Sequence, residues 1–362
     1  MSRLLLFVPG LIWPAHWIQR PSQDLPLVAL ARLLGRGQRR FAPPASQESA
    51  LARLFGIGDG GEDGVGDSPS PPFATLRRLG EEDAGRDDEG EGHWLCADPV
   101  NLSFMGGHVL LGDFVGNEIA PGEAAALIAA LNRDFGNLGR FSAVTPTRWY
   151  LRLEREVCGT RFFPLHDAVG RPIQHFLPTG DERDAGHWRH VLNEIQVALH
   201  NHPDNAAREA EGRRTVNSLW FWGEGARVGT VARAPCPAVQ AFEPVARGLA
   251  RAAGIEPGLP DVVSALRADT LVVLDALATP ARHHDLAAWR TAIAMLESEW
   301  FAPIARALDT GALCRFELLA PGDRAGFSLS TSRRARWYFW RKPLLLDDLC
   351  ASIKLVPAET EA

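Results

Sequence analysis

Apolar positions along the chain switch between two periods. Leu4 to Val8 is apolar on both faces, which predicts a central parallel strand, and helical spacing follows near Leu25 to Gly35 and Glu48 to Phe55. Candidate strands at His93 to Ala97 and His108 to Leu111 precede GEAAALIAALNRDF, whose three- and four-residue spacing of Ala, Leu and Ile predicts an amphipathic helix. In FSAVTPTRWYLRLE, Trp149, Leu151 and Leu153 alternate with Arg148, Arg152 and Glu154, the pattern of strand with one buried face. The later pattern predicts helix at His187 to His200, strand at Ser218 to Trp222 and helix at Pro237 to Ala253. A strand at Thr270 to Leu274 and a long helix from His283 to about Leu308 follow, and Arg315 to Leu319, Phe327 to Ser330 and Arg336 to Trp340 read as strands near a sheet edge. Strands alternating with helices predict an α/β fold, a mostly parallel sheet with helices on both faces.

Length and composition change this picture in three places. A chain of 362 residues allows about two domains, or one large α/β domain with insertions. Gly58 to Gly92 is rich in Gly, Pro, Asp and Glu, and residues 59–91 hold eleven acidic and three basic side chains. So few apolar groups do not offset the entropy of ordering, so 58–92 is expected to be a disordered acidic insertion. Eleven acidic against three basic make −8 there, more than the whole formal charge of −6, and the remaining +2 gives no general argument for nucleic acid. The five cysteines, at 96, 158, 236, 314 and 350, show no zinc or redox spacing and read as reduced thiols. In the opening MSRLLLFVPGLIWPAHW, Pro9-Gly10 and Pro14 cut the apolar run, which fits neither a signal peptide nor a bilayer crossing. A cytoplasmic setting with no membrane partner is the expectation.

The most distinctive segment is HNHPDNAAREAEGRRTVNSLWFWGEG, His200 to Gly225. It joins His202-Pro203, Asn205, Arg208 and Gly212 to a strand with Asn217, Trp220 and Trp222 that ends in Gly223-Glu224-Gly225. Two nearby glycines after a strand allow a sharp turn or close approach of backbone to a ligand, and a turn over core tryptophans is the plainer alternative. This segment resembles the archaeal-type cofactor-independent phosphoglycerate mutases, with their His-Pro-x-Asn helix and Asn-x-x-Trp-x-x-Gly-x-Gly strand and turn. LLLFVPGL is similar to that family's first strand, and APPASQESALARLFG to the helix bearing its serine nucleophile. LVVLDALATPARHHD is similar to its second metal-ligand strand, and ELLAPGDRAG to its closing turn. The resemblance implies the alkaline phosphatase superfamily, a large α/β domain with a smaller inserted α/β domain. On it, residues 1–57 and 181–362 form the main domain and 93–180 the inserted one.

It also implies serine-based phosphoryl transfer with two divalent metals. Pro9 stands where the family has its first Asp, and Ser46 is the candidate nucleophile, although a helix cap explains it equally well. Asp275, Leu277 and Pro280 align with the family's His, Lys and Asp, while His284 and Asp285 match it. In the closing turn Asp323 keeps a carboxylate and Arg324 replaces His. Asp275, His284, Asp285 and Asp323 are therefore the candidate metal ligands. His202, Asn205, Arg208, Asn217, Gly223, Gly225 and Arg324 are the candidate ligand-binding positions, with Arg208, Arg213, Arg214 and Arg324 as phosphate contacts.

Three functions follow. The first is a mutase-like protein that lost most of the di-metal site and binds an anionic phosphorylated small molecule in a regulatory role. The second is a mutase or phosphatase with a rearranged site holding manganese, zinc or magnesium. The third rests on RRARWYFWRKP, Arg333 to Pro343, where basic residues flank four aromatics as in single-stranded nucleic-acid sites. A strand would turn half of those rings inward, so a core strand with snorkelling ends is the expectation and nucleic acid is disfavoured.

Overall fold

The computed structural model describes residues 2–14, 17–58, 71–81, 92–116, 118–157, 159–224, 232–338 and 340–353. In chain order they form β1 (Arg3–Phe7), α1 (Val28–Arg36), β2 (Gln38–Ala42), α2 (Gln47–Leu54), α3 (Phe73–Gly80), β3 (His93–Met105) and β4 (His108–Asp113). Next come α4 (Pro121–Asp134), β5 (Gly139–Thr145), β6 (Arg148–Leu153), β7 (Thr160–Arg161), α5 (Leu165–Ala168), β8 (Thr179–Gly180), α6 (Glu182–His200), α7 (Pro203–Ala210) and β9 (Ser218–Trp222). The chain continues through β10 (Ala238–Ala241), α8 (Pro244–Ala252), α9 (Val262–Ala265), β11 (Thr270–Val273), α10 (Ala278–Arg282) and α11 (Leu286–Leu296). It closes with α12 (Ala302–Thr310), β12 (Arg315–Ala320), β13 (Gly326–Ser332) and α13 (Leu346–Ser352).

Two compact units emerge, one from Met1–Gly56 with Ala232–Ala362 and one from Ile57–Val231. The first is a six-stranded sheet in the order β10-β11-β1-β12-β13-β2. β10, β11, β1 and β12 run parallel, and β13 and β2 are antiparallel additions. Leu4, Leu6, Val272, Phe316 and Leu318 join one core cluster with side chains of α1, α11, α12 and α13. Leu5, Phe7, Leu271 and Val273 are equally buried, and strand alternation turns them to the opposite face. This is the α/β sheet covered on both sides that the apolar runs predict. β12, expected near an edge, lies instead beside β1, and the exposed edge strand is β2.

Three elements differ from expectation. The helix expected from Pro237 to Ala253 begins as β10, because Glu243 caps a new helix with Pro244 in its first turn. The long helix from His283 to Leu308 divides into α11 and α12 around a π-turn at Glu297–Phe301. That turn has a use: the Glu297 carboxylate accepts from Ala29 N at 2.6 Å and Leu30 N at 3.0 Å, capping α1, which has no side-chain cap of its own. Where a strand was expected at Arg336 to Trp340, residues 336–337 instead end a 3-10 turn, Arg333–Trp337, capped by the Ser332 hydroxyl, and Phe339 lies outside the described residues.

The second unit carries an antiparallel sheet, β4-β3-β6-β5, with β9 also paired to β3. It extends beyond the 93–180 expected for the inserted domain, because β9 pairs Cys96 to Val100 of β3 and α6 packs on β9. Part of the expected disordered insertion also belongs to it. Residues 71–81 hold α3, with Phe73, Ala74, Leu76 and Arg77 buried, whereas 59–70 and 82–91 lie outside the described residues. A network of buried charge fastens α3 to the sheet. Arg77 donates to both Asp98 oxygens at 2.7 and 2.9 Å, to Tyr150 Oη at 2.8 Å and to Trp149 O at 3.0 Å. Trp222 Nε1 and Trp149 N also donate to Asp98, and Glu81 accepts from Tyr150 Oη and from Arg148 twice. Burial alone would lower the Arg77 pKa, but Asp98 holds it well above the usual value.

The four described cysteines, Cys96, Cys236, Cys314 and Cys350, form no disulfide. Burial pushes Cys236 and Cys350 up to about 11, so both are protonated at neutral pH. Among the described residues no helix is long and apolar enough to cross a membrane.

Candidate functional site

In open α/β sheets chemistry gathers beyond the carboxyl ends of the parallel strands. In the first unit those ends lead to Val8-Pro9, Leu274-Asp275, Phe242-Glu243 and Pro321-Gly322. The ends are packed with hydrocarbon. Val8, Leu11, Ile12, Trp13, Leu274, Leu277 and Trp289 are all buried in the main core cluster, and Trp13 meets Trp289 edge to face at 5.5 Å. Trp289 Nε1 donates to Gly10 O at 2.8 Å, which ties the turn after β1 to α11. Gly10 has φ +77°, and a Cβ there would lie 2.5 Å from Leu277 O. Gly10→Ala is therefore expected to destabilise the first unit by about 2–3 kcal/mol, read from urea unfolding; a variant as stable as the parent would contradict this packing.

The positions matched to metal ligands do not converge. Pro9 is buried and offers no donor, as do Leu277 and Pro280. Asp275 is half-buried, and burial raises its pKa. His284, at φ 54°, lies exposed between α10 and α11 with its ring 6.2 Å from Trp13 and 5.4 Å from Trp17. Asp285 caps α11 by accepting from Ala288 N at 2.9 Å, and Asp323 is exposed. Among the described residues no three His, Cys, Asp or Glu side chains stand close enough to hold a metal ion. Among the described residues these side chains do not make a donor set for a pair of divalent metals.

Ser46 does lie beside this end of the sheet, since Ala45 N donates to Gly322 O at 3.3 Å. Its hydroxyl accepts from Ser49 N at 3.1 Å and donates to Ser49 Oγ at 2.9 Å, the geometry of a helix cap. Two residues not singled out from the sequence also lie here. Glu48 and Glu243 are buried carboxylates, and Glu243 accepts from Val245 N and Ala246 N at 2.9 and 2.7 Å. Burial, helped by the negative charges of Glu48 and Asp275, pushes Glu243 up to about 8 despite those two bonds. The signal was Glu-Pro at a strand-to-helix junction, hidden because the segment read as continuous helix. Arg324 is half-buried with its Nε in no hydrogen bond among the described residues.

The other candidate residues belong to the second unit, where their polar groups serve its own backbone. His202 caps α7, its Nδ1 accepting from Asp204 N at 3.2 Å. Asn205 donates to Leu199 O and Val216 O and accepts from Val216 N, all within 2.9 Å. Arg208 is almost fully buried and donates to Arg214 O at 2.7 Å, Glu123 Oε2 at 2.9 Å and Glu118 O at 3.0 Å. Arg213 pairs with Glu123 and Glu211, and Arg214 with Glu118. Asn217 exchanges two bonds with Leu102, extending the β9–β3 ladder by one side-chain rung. Gly223, at φ +78°, lets backbone approach closely, but the partner is the start of α3: a Cβ would lie 2.7 Å from Ala74 N, which donates to Gly223 O. Gly225 lies outside the described residues. Trp220 and Trp222 are buried, as a packed layer would be. The expected phosphate contacts Arg208, Arg213 and Arg214 are thus engaged by carboxylates and carbonyls, and Arg324 belongs to the other unit. A cavity of about 460 Å³ does open in this unit, between an apolar floor of Leu102, Val109, Leu219 and Trp220 and the polar Asn193, Gln196 and His200 of α6.

Comparison with known proteins bears on this arrangement. The family model for 2,3-bisphosphoglycerate-independent phosphoglycerate mutase matches residues 100–205. The chain is 37% identical over 116 residues to 2,3-bisphosphoglycerate-independent phosphoglycerate mutase 2 of Methanothermobacter thermautotrophicus, covering 32% of this chain and 29% of that protein. The match thus spans less than a third of that relative's length. Among solved structures, the PH0037 protein from Pyrococcus horikoshii is similar in fold, at TM-score 0.51 and 16% identity over 91% of this chain and 87% of that one. The cofactor-independent phosphoglycerate mutase from Thermoplasma acidophilum aligns at TM-score 0.46 and 18% identity over 98% of this chain and 95% of that one. None of positions 9, 46, 275, 284, 285 and 323 falls within the family match. Over residues 100–205 the chain is similar to the 2,3-bisphosphoglycerate-independent phosphoglycerate mutases, and its α/β fold is similar to that of the PH0037 protein.

Proposed function

We propose that this chain is a mutase-like protein without the di-metal centre, a binding or regulatory relative that does not transfer phosphoryl groups. The observation that carries this reading is the hydrocarbon packed at the carboxyl ends of β1 and β11, where Pro9, Leu11, Trp13, Leu274 and Leu277 are buried. Metal-assisted phosphoryl transfer needs a converging set of charged oxygen and nitrogen donors beside the nucleophile, and among the described residues no three His, Cys, Asp or Glu side chains, Glu48 and Glu243 included, stand close enough to hold a metal ion. A phosphatase with a rearranged single-metal site draws no support from Asp275, His284, Asp285 and Asp323, which form no metal-holding cluster among the described residues. A phosphate held by Arg208, Arg213 and Arg214 also drops out of the reading, because carboxylates already neutralise them. Unbridged thiols fit the cytoplasmic setting that belongs to this reading.

The test is metal content of the purified protein together with interconversion of 2- and 3-phosphoglycerate and hydrolysis of p-nitrophenyl phosphate, with manganese, zinc or magnesium supplied. Substoichiometric metal and no turnover above the enzyme-free rate are expected. Stoichiometric metal with turnover that disappears in Ser46→Ala would overturn the proposal.

A further inference from the structure

Residues 28–42 and 333–343 together carry nine basic side chains and no acidic one, in a chain whose formal charge is −6. The first unit joins these segments into one surface. β13 pairs with β2 so that Ser330 faces Gln38, Leu344 N donates to Ala31 O at 3.0 Å, and Arg341 Nη1 donates to Arg36 O at 3.2 Å. Arg32 and Arg36 are paired with Asp309, while Arg39, Arg40, Arg333, Arg334, Arg341 and Lys342 are exposed.

Aromatic rings stand among these charges. Trp337 is 62% exposed and Trp340 65%, and Tyr338 is 36% exposed. A strand would have buried half of them; the capped 3-10 turn that ends at Trp337 breaks that alternation. Tyr338 and Trp340 meet edge to face at 5.6 Å, and the Arg341 guanidinium lies 4.9 Å over the Tyr338 ring. Large exposed rings edged by guanidinium groups are a stacking platform with a phosphate track beside it.

We propose that this surface binds single-stranded nucleic acid, with bases stacked on Trp337 and Trp340 and the phosphate backbone led along Arg333, Arg334, Arg341 and Lys342. An anionic bilayer would attract the same residue types, but it takes up a continuous apolar helix face. Here Trp337 ends a five-residue turn, Tyr338 and Trp340 follow it with a guanidinium over Tyr338, and the adjacent α13 turns Leu346, Leu349 and Cys350 inward. A duplex keeps its base faces stacked away from such rings, so single strands are the preferred form. The proposal uses no residue of the strand-end site and stands whether or not the protein has mutase activity.

The experiment measures fluorescence anisotropy of labelled oligothymidine and oligouridine of about 20 nucleotides with the full chain, against a duplex of equal length, over a salt series. Single strands are expected to bind more tightly than duplex, and the two oligonucleotides separate DNA from RNA as the natural form. Trp337→Ala and Trp340→Ala should each weaken binding about 5- to 150-fold, with Trp337→Phe retaining most of it. Arg333→Gln and Lys342→Gln should each flatten the logarithmic salt slope by about 0.7. Absence of binding at about 50 mM salt overturns the proposal, as does duplex binding of equal strength that ignores the Trp substitutions. So does sedimentation with phosphatidylserine vesicles that the Trp substitutions abolish while oligonucleotides remain unbound.

Discussion

Asp98→Ala is expected to destabilise the second unit by about 3–5 kcal/mol, the usual effect of removing one partner from a buried ion pair. Asp98 accepts four hydrogen bonds, two from Arg77 and one each from Trp149 N and Trp222 Nε1. Without it, among the described residues the buried Arg77 charge keeps only Tyr150 Oη and Trp149 O as hydrogen-bond acceptors, and the Trp222 N–H has none of its present bonding. The damage should reach α3 first, because Arg77 is that helix's attachment to β3 and β6. Hydrogen exchange read by mass spectrometry should show protection falling across Phe73–Gly80, β3 and β9, with the first unit unaffected. An Arg77→Met, Asp98→Leu double variant removes both charges and should lose less than Asp98→Ala, since no uncompensated charge remains. If Asp98→Ala unfolds within about 0.5 kcal/mol of the parent, the network is not holding the unit together.

Why the sequence revealed some elements and hid others follows from what each depends on. β1 and β11 are short runs apolar on both faces, a pattern set by burial alone, and α4 shows its helical period without help from neighbours. α3 was obscured because its apolar Phe73, Ala74 and Leu76 sit inside an acidic, Gly-rich stretch whose average composition describes the flanks better than the helix. Its stability comes from Asp98, Tyr150 and Trp222, residues that no local window joins. β10 was hidden by continuity, as Ala and Val serve both periods until Glu243-Pro244 marks the new helix.

The candidate site was legible in a different sense. The lack of a donor at Pro9, Leu277 and Pro280 is a property of residue type and can be read without coordinates. The roles of Asn205, Arg208 and Asn217 could not, because the hydrogen-bonding groups that hold a ligand are also those that satisfy buried backbone. Only the geometry distinguishes them: Asn205 spends both ends of its amide on Leu199 and Val216, and Arg208 spends its guanidinium on Arg214, Glu118 and Glu123. The strand expected at Arg336 to Trp340 fails for the reverse reason, since side-chain alternation applies only once a strand is assumed, and Ser332 starts a 3-10 turn instead.

The first unit should lose stability as pH rises from about 4.5 to about 8, and Glu243 should account for much of that slope. The folded-state value of about 8 lies above the 4.5 of the unfolded chain, so between them the folded protein holds a proton that the unfolded chain has released. Stability from this group is complete below the lower value, declines by up to about 1.4 kcal/mol per pH unit through the window, and is gone above the upper one. A few kcal/mol across the window is the expected scale. Asp275, raised by burial, contributes in the same direction, so removing one group should leave a residual slope. Glu243→Gln cannot ionise and keeps one oxygen to accept from the start of α8, losing about 1 kcal/mol at acid pH where the parent carboxyl is protonated. Urea midpoints measured at intervals from pH 5 to 9 should therefore cross, with the parent more stable at the acid end and the Gln variant more stable at the alkaline end. Parallel curves with no crossing would mean that Glu243 titrates near its ordinary value and that the three carboxyl groups at the ends of the parallel strands do not share a low-dielectric site.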